Sequence, residues 1–292
     1  MPNTSVNLHI SKLNKDDEYY TRYEDIENEL KNYINYFKDE IIYCNCDDPK
    51  KSNFFKYLFD NFKNFELKGL IATYYDEINN PIAVIMTRSS YDEIKLVGNG
   101  DFRSEECIEL LKSADIVITN PPFSLLSEYV DQLIEYDKKF IIVGNMNGLT
   151  YNNIFSLIKD NKLWTGTNGY DSIHDFVRPD GSIKSFRNIL WYTNLDISKH
   201  HKKLIDEKSG KHYDKNLYKK YENFDGINIS KLSDLPVDYY GVMGVPITYL
   251  IKHNPEEFEI LDIDKNLTYD HKRGLVDGKR LYARIFIRRK GF

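Results

Sequence analysis

Asn120-Pro121-Pro122-Phe123 is the run of residues in this chain best suited to chemistry. The apolar run before it, Ile116-Val117-Ile118, reads as a buried strand. Two consecutive prolines have no N–H to give to a sheet ladder, so the strand must stop at Asn120. That puts the Asn120 amide at the carboxyl end of a strand, where open α/β sheets keep their ligand crevice. Its amide oxygen and the rigidly held Pro121 carbonyl can accept both N–H bonds of an exocyclic amine. Such an amine is a poor nucleophile, because its lone pair is delocalised into the ring. Held this way the nitrogen is favoured as a pyramid, with its lone pair aimed at a methyl donor. Phe123 can stack on the base that carries it. A rigid loop that merely ends a strand accounts for the same four residues, and at this point both readings stand.

The elements that must position this run follow from periodicity. Phe123 to Ile134 has helical spacing, with Leu126, Tyr129, Val130 and Leu133 on one face. Ile41 to Cys44 is a short apolar strand running through Asn45-Cys46-Asp47-Asp48-Pro49 into a helix with Phe54, Phe55, Leu58 and Phe59. Strand, tight turn and helix form the first unit of a doubly wound sheet, although the glycines usual in such a turn are absent. Leu70 to Asp76 reads as a second strand ending in acid. In sheets of this kind an acid there accepts the ribose hydroxyls of a bound nucleoside, while an ordinary turn aspartate explains Asp76 equally simply. Ile82 to Met86 and Ile94 to Val97 read as a hairpin around Ser89–Asp92. Asp101, after Gly98-Asn99-Gly100, either faces the crevice or caps the helix from Glu105 to Leu111. Phe140 to Asn145 reads as a fifth parallel strand, Tyr151 to Lys159 as a helix, and residues 24–38 as one amphipathic helix. Residues 188–194 read as a strand and 167–187 as a loop-rich region that either holds a flipped base or forms a plain surface hairpin.

From about His200 the chain becomes basic and irregular, and His200-His201 reads as part of a solvated face. The last segment, Arg280 to Arg289, alternates. Leu281, Ala283, Ile285 and Ile287 fall on one face, and Tyr282, Arg284, Phe286 and Arg288 on the other. Arginines and aromatics interleaved on an exposed face suit phosphate contact and base stacking, with Arg280, Arg284 and Arg288 the first candidates for DNA binding. A basic edge strand that blocks sheet-to-sheet pairing is the competing explanation.

At 292 residues the chain can bury one large or two modest cores. A net charge of −5 argues against a basic nucleic-acid coat protein but leaves room for a local basic face. Three cysteines, Cys44, Cys46 and Cys107, make neither a disulfide framework nor a zinc site. No apolar run approaches the roughly 20 residues of a membrane span, and the start of the chain is polar. These features point to a cytoplasmic protein with no metal and no membrane contact.

Taken in order, the motifs resemble the EcoRI-type family of adenine-specific DNA methyltransferases. The likeness spans most of the chain. It rests on Cys44–Pro49 with Ser52-Asn53-Phe54, on Gly100-Asp101-Phe102, on Asn120–Phe123, on Gly144-Asn145-Met146-Asn147, and on Gly244-Val245-Pro246-Ile247 with Asn254-Pro255 and Phe258. The resemblance implies a Rossmann-like S-adenosylmethionine-dependent methyltransferase fold with a C-terminal target-recognition region. Residues 1–199 would bind the donor and 200–292 would read double-stranded DNA. It implies N6-methylation of a flipped adenine by Asn120, Pro121, Pro122 and Phe123. The donor, S-adenosylmethionine, would be lined by Tyr20, Thr21, Cys44, Asn45, Cys46, Asp47, Ser52, Asn53, Phe54, Asp76, Asp101 and Phe102. An opening element, Asp16-Asp17-Glu18-Tyr19-Tyr20-Thr21, would cover the donor's methionine end. A monomer would fit, and a cognate restriction endonuclease would be a natural companion. The rival readings are an RNA or protein-glutamine methyltransferase, and a DNA-binding regulator without activity.

Overall fold

Four short apolar runs, each too brief for a helix and rich in β-branched residues, form the centre of the protein because parallel strands are buried on both faces. The structure is a computed structural model describing residues 19–79, 81–169, 173–178, 180–206, 208, 210–264, 274–281 and 283–291. The expected Asp16, Asp17 and Glu18 of the opening element, Pro179 of the 167–187 region, and Tyr282 lie outside these residues. The described residues up to Met146, with Gly166–Thr193, form one compact unit; Asn147–Thr165 and the residues from Asn194 onward form another.

In chain order the first part comprises β1 (Tyr20–Thr21), α1 (Tyr23–Leu30), β2 (Ile41–Cys44), α2 (Asn53–Asp60), β3 (Gly69–Ala72), β4 (Ile82–Thr87) and β5 (Tyr91–Lys95). Next come α3 (Glu105–Ser113), β6 (Ile116–Thr119), α4 (Leu126–Glu135), β7 (Lys139–Asn145), α5 (Asn152–Lys159), β8 (Trp164–Thr165), β9 (Ile173–Val177) and β10 (Ile183–Thr193). In the first unit the sheet runs β1-β9-β10-β7-β6-β2-β3-β4-β5. β3, β2, β6 and β7 are parallel, and the strands on either side are antiparallel. The strand order reverses between β2 and β6, so the loops leaving these two strands diverge and leave a crevice. Ser52 and Ser104 cap α2 and α3 by accepting the N–H groups of Phe54 and Cys107. Ile26 and Leu30 of α1, Phe54 and Leu58 of α2, and Leu126, Tyr129, Val130 and Leu133 of α4 are buried.

The structure corrects several expectations. The helix of residues 24–38 ends at Leu30: the Asn32 amide bonds back to the carbonyls of Asn28 and Glu29, and only a 3-10 turn follows at Ile34–Tyr36. The second strand stops at Ala72, short of Asp76. Phe140–Asn145 belongs to the fourth parallel strand, not a fifth, because the chain turns back after β3 into the antiparallel β4–β5 hairpin instead of crossing over. The second strand of that hairpin begins at Tyr91, where Thr87 closes a tight turn by accepting the N–H groups of Ser89 and Ser90. The loop-rich region is a hairpin of β9 with the long β10, and β9 also pairs with β1.

The second unit holds a four-stranded sheet of β11 (Ile227–Asn228), β12 (Met243–Pro246), β13 (Phe258–Ile263) and β16 (Arg284–Arg289), in the order β11-β12-β16-β13. β14 (Leu275–Val276) and β15 (Lys279–Arg280) form a small hairpin. The expected exposed face of the last strand is there only in part: Arg288 is exposed and Arg284 half-buried, but Phe286 is not exposed. Ile285, Phe286 and Ile287 are all buried, because Tyr221 and Phe224 cover Phe286 from the side opposite the isoleucines. His200 is buried too, stacked on Trp164 at 4.8 Å, while the exposed His201 bonds to the carboxylates of Asp196 and Glu256.

Candidate active site

The loops leaving β2 and β6 are stitched together by one buried carboxylate. Asp47 accepts a hydrogen bond from Ser52 Oγ at 2.6 Å, a short one from Thr119 Oγ1, and one from the Asn120 N–H. The Cys46 N–H donates to Thr119 Oγ1 at 3.2 Å, and the Asp47 N–H to the Thr73 carbonyl at 2.9 Å. Burial pushes the Asp47 carboxyl up to about 6, even though these three donors favour its charge. Beside it, Tyr129 of α4 donates a short hydrogen bond to Asn45 Oδ1.

The first described residues close over this crevice. Asn53 Nδ2 donates to the Thr21 carbonyl at 2.8 Å, and Asn120 Nδ2 approaches the Tyr19 carbonyl at 3.4 Å. Tyr19 packs edge-on against Phe186 at 4.8 Å and takes Lys184 on its hydroxyl at 2.7 Å. Pro121 is buried, Pro122 exposed, and Phe123, partly exposed, begins a short 3-10 turn.

Three buried polar atoms on three converging segments have no hydrogen-bond partner among the described residues: Thr21 Oγ1, Asn45 Nδ2 and Asn120 Oδ1. Buried polar atoms are nearly always paired, and an unpaired one costs roughly 1–3 kcal/mol. A donor, an acceptor and a hydroxyl that can be either, left open at the carboxyl edge of a sheet, fit a polar ligand.

The other expected residues stand apart from this cluster or are already engaged. Asp76 is spent locally: it accepts the N–H groups of Ile78 and Asn79, which hold its carboxyl below the usual range. Burial works to raise the Asp101 carboxyl, but Arg103, bonded at 2.7 Å, outweighs it and leaves it low. Phe102 is buried with its ring against Tyr129 at 5.0 Å. Phe54 is core, packed against Trp191 at 5.8 Å. Cys44 is buried at the end of β2, and burial pushes both its thiol and that of Cys46 well above the usual range. Tyr20 pairs with Val177 across the sheet edge. In the second unit Arg280 is exposed on β15, Arg284 donates to Asn228 Oδ1 at 3.1 Å, and Arg288 pairs with Glu259 at 3.2 Å.

Thr119 and Tyr129 are the members of this cluster to which the sequence reading gave no part in the site, whereas Tyr19 belongs to the opening element expected over the donor. Thr119 could have been found, since a polar residue inside an otherwise apolar strand needs a buried partner. Among the described residues no group of His, Cys, Asp and Glu could hold a metal ion, and no helix is long and apolar enough to cross a membrane.

Gly100 brings the Asp76 and Asp101 loops together, where the Asp76 N–H donates to the Asn99 carbonyl. Its φ is +73°, and a Cβ there would lie 1.9 Å from the Tyr74 carbonyl oxygen. Gly100→Ala is expected to destabilise this loop pair by about 1–3 kcal/mol, seen as a lower melting temperature.

The family model described as adenine-specific methyltransferase EcoRI matches residues 7–290. The type II methyltransferase M.EcoRI of Escherichia coli is 44% identical over 98% of this chain and 97% of its own length. M.MgeORF184P of Mycoplasma genitalium is 35% identical, over 96% of this chain and 98% of its own. M.MpnI of Mycoplasma pneumoniae is 34% identical, over 96% of this chain and 97% of its own. No solved structure matches.

Proposed function

The chain belongs to the EcoRI family of adenine-specific methyltransferases, and from that premise we propose that it moves a methyl group from S-adenosylmethionine to N6 of an adenine flipped out of double-stranded DNA. The modification would be site-specific, of the type II kind named in its relatives. The observation that carries this reading is the buried Asn120 Oδ1, left without a partner at the β2/β6 switch point.

Asn120 Oδ1 accepts one N–H of the adenine amine and the Pro121 carbonyl the other. The two together fix the nitrogen and favour the geometry in which its lone pair is free to attack. Phe123 stacks on the flipped base, whose extrusion costs a few kcal/mol. S-adenosylmethionine, when bound, supplies a methyl group on a positively charged sulfur. Thr21, the Asn45–Asp47 loop and Asn53 line its site in a Rossmann-like arrangement, and Asn45 Nδ2 and Thr21 Oγ1 meet its polar groups. Asp76 and Asp101 would take its ribose and adenine, once Asp76 gives up the Ile78 and Asn79 N–H groups and Asp101 gives up Arg103. Because the donor already carries its charge, orientation and fixed dipoles matter more than a strong base. Residues 200–292 read the target, with Arg280, Arg284 and Arg288 toward DNA. The enzyme works as a cytoplasmic monomer, and a cognate endonuclease is its natural companion.

Methylation-aware sequencing of DNA from cells expressing the chain, beside an Asn120→Ala control, tests this reading. The expected result is one discrete motif carrying N6-methyladenine only with the intact protein. Unmodified DNA in both samples would overturn it.

A further inference from the structure

The hydrogen bonds around Asp47 are those of a strut. One carboxylate ties the capping serine of α2 to the last residue of β6 and to the backbone of Asn120. Ser52 Oγ itself accepts the Phe54 N–H at 3.0 Å, so the start of α2 moves with it. All three partners donate, and Thr119 Oγ1 is committed on its other side as acceptor for Cys46 N–H at 3.2 Å. The site therefore demands a pure acceptor at Asp47.

We infer that Asp47 is a positioning residue: its ionised carboxylate sets where the Asn120 amide stands, so that turnover depends on its charge. The inference rests on the reading of Asn120 as the group that accepts the adenine amine. A protonated Asp47 has one oxygen turned donor. It then leaves one of Ser52, Thr119 and Asn120 without its acceptor, and the loop shifts. A displacement of about 1 Å at a reacting group is worth roughly 10²-fold in rate.

The groups facing Asp47 leave it as the one poised near neutrality. Asp48 of the same loop adds a like charge that raises it further. Cys44 and Cys46 at the end of β2, and Tyr129 from α4, are all pushed well above their usual values by burial. Ser52 and Thr119 are neutral. The carboxyl at about 6 then sets an acid limb on the rate, with activity rising through pH 6 and level above it.

The test is single-turnover methylation of chromosomal DNA lacking adenine methylation, with saturating radiolabelled S-adenosylmethionine, from pH 5 to 8. Asp47→Asn is expected to lower the rate roughly 10²-fold at neutral pH and to flatten the limb. Donor affinity by calorimetry should fall by less than the rate does, since the Asn45–Asp47 loop also lines the donor site. Thr119→Val should fall as Asp47→Asn does, and Thr119→Ser should keep the wild-type rate and limb. This second pair carries the test if Asp47→Asn fails to fold. An Asp47→Asn protein with full rate, or one slowed but keeping the wild-type limb, overturns the inference, as does an unaffected Thr119→Val. Asn120→Ala run in parallel separates the two levels. Full turnover there sinks the reading of Asn120 itself; loss there with full turnover in Asp47→Asn sinks the strut alone.

Discussion

Asn120→Ala is expected to slow methyl transfer by roughly 10²–10³-fold while the donor still binds within a few-fold of normal. The amide oxygen is buried and unpaired, so in the resting protein it is a cost of about 1–3 kcal/mol and contributes nothing to folding. Such a group persists where a substrate satisfies it. The substitution removes one of two fixed acceptors for the amine and leaves the Pro121 carbonyl and the buried β6 strand in place. Rapid-quench turnover together with calorimetric donor binding checks both halves. The same substitution should not lower the melting temperature, since it removes an unsatisfied atom along with a weak 3.4 Å contact to Tyr19. Normal turnover in this variant would mean that the amine is held elsewhere.

Glu29→Ala is expected to be the most damaging change for stability, at about 3–5 kcal/mol. Glu29 of α1 is fully buried, and its carboxylate takes four hydrogen bonds: from Tyr33 OH at 2.7 Å, the Thr167 N–H at 2.6 Å, and the Asn168 N–H and side-chain amide at 2.9 and 2.7 Å. These hold residues 167 and 168, just before the chain enters β9. Gly166 beside them has no room for a side chain, since a Cβ there would sit 2.3 Å from Glu29 Oε1. Alanine at position 29 strands three N–H donors and opens a cavity. For a unit of this size the melting transition should fall by about 10 °C, read by differential scanning calorimetry. A fall of only a degree or two would mean that water or a neighbour replaces the carboxylate.

The strands β2, β6 and β7 were legible because a strand buried on both faces writes itself as a continuous apolar run, and Pro121-Pro122 marks where one of them ends. α4 showed itself through Leu126, Tyr129, Val130 and Leu133, all of which are buried. Asn120 was legible as chemistry because an amide before two prolines at a strand end has few structural duties. The same periodicity hid Tyr129: its ring belongs to the core, as the spacing says, while its hydroxyl serves Asn45. Spacing also misread the last strand, since alternation presumes one wet face and Phe286 is covered by Tyr221 and Phe224. The pairing of β1 with β9 left no local trace, because a two-residue strand is defined only by a partner far along the chain. The engagement of Asp101 by Arg103 was equally silent, since both readings of an aspartate before a helix look alike in sequence.

That distant pairing orders events during synthesis. Tyr20 and Thr21 find their sheet partners at Val177 and Phe176, and Tyr19 lies over Asn120 from the same segment. At roughly 5–20 residues per second, the ribosome needs on the order of ten seconds or more after making Tyr20 before β9 exists to receive it. Through that interval the Asn120 loop can be made while its cover is still unpaired. The growing chain therefore passes a long stretch with an uncovered polar crevice and an open sheet edge.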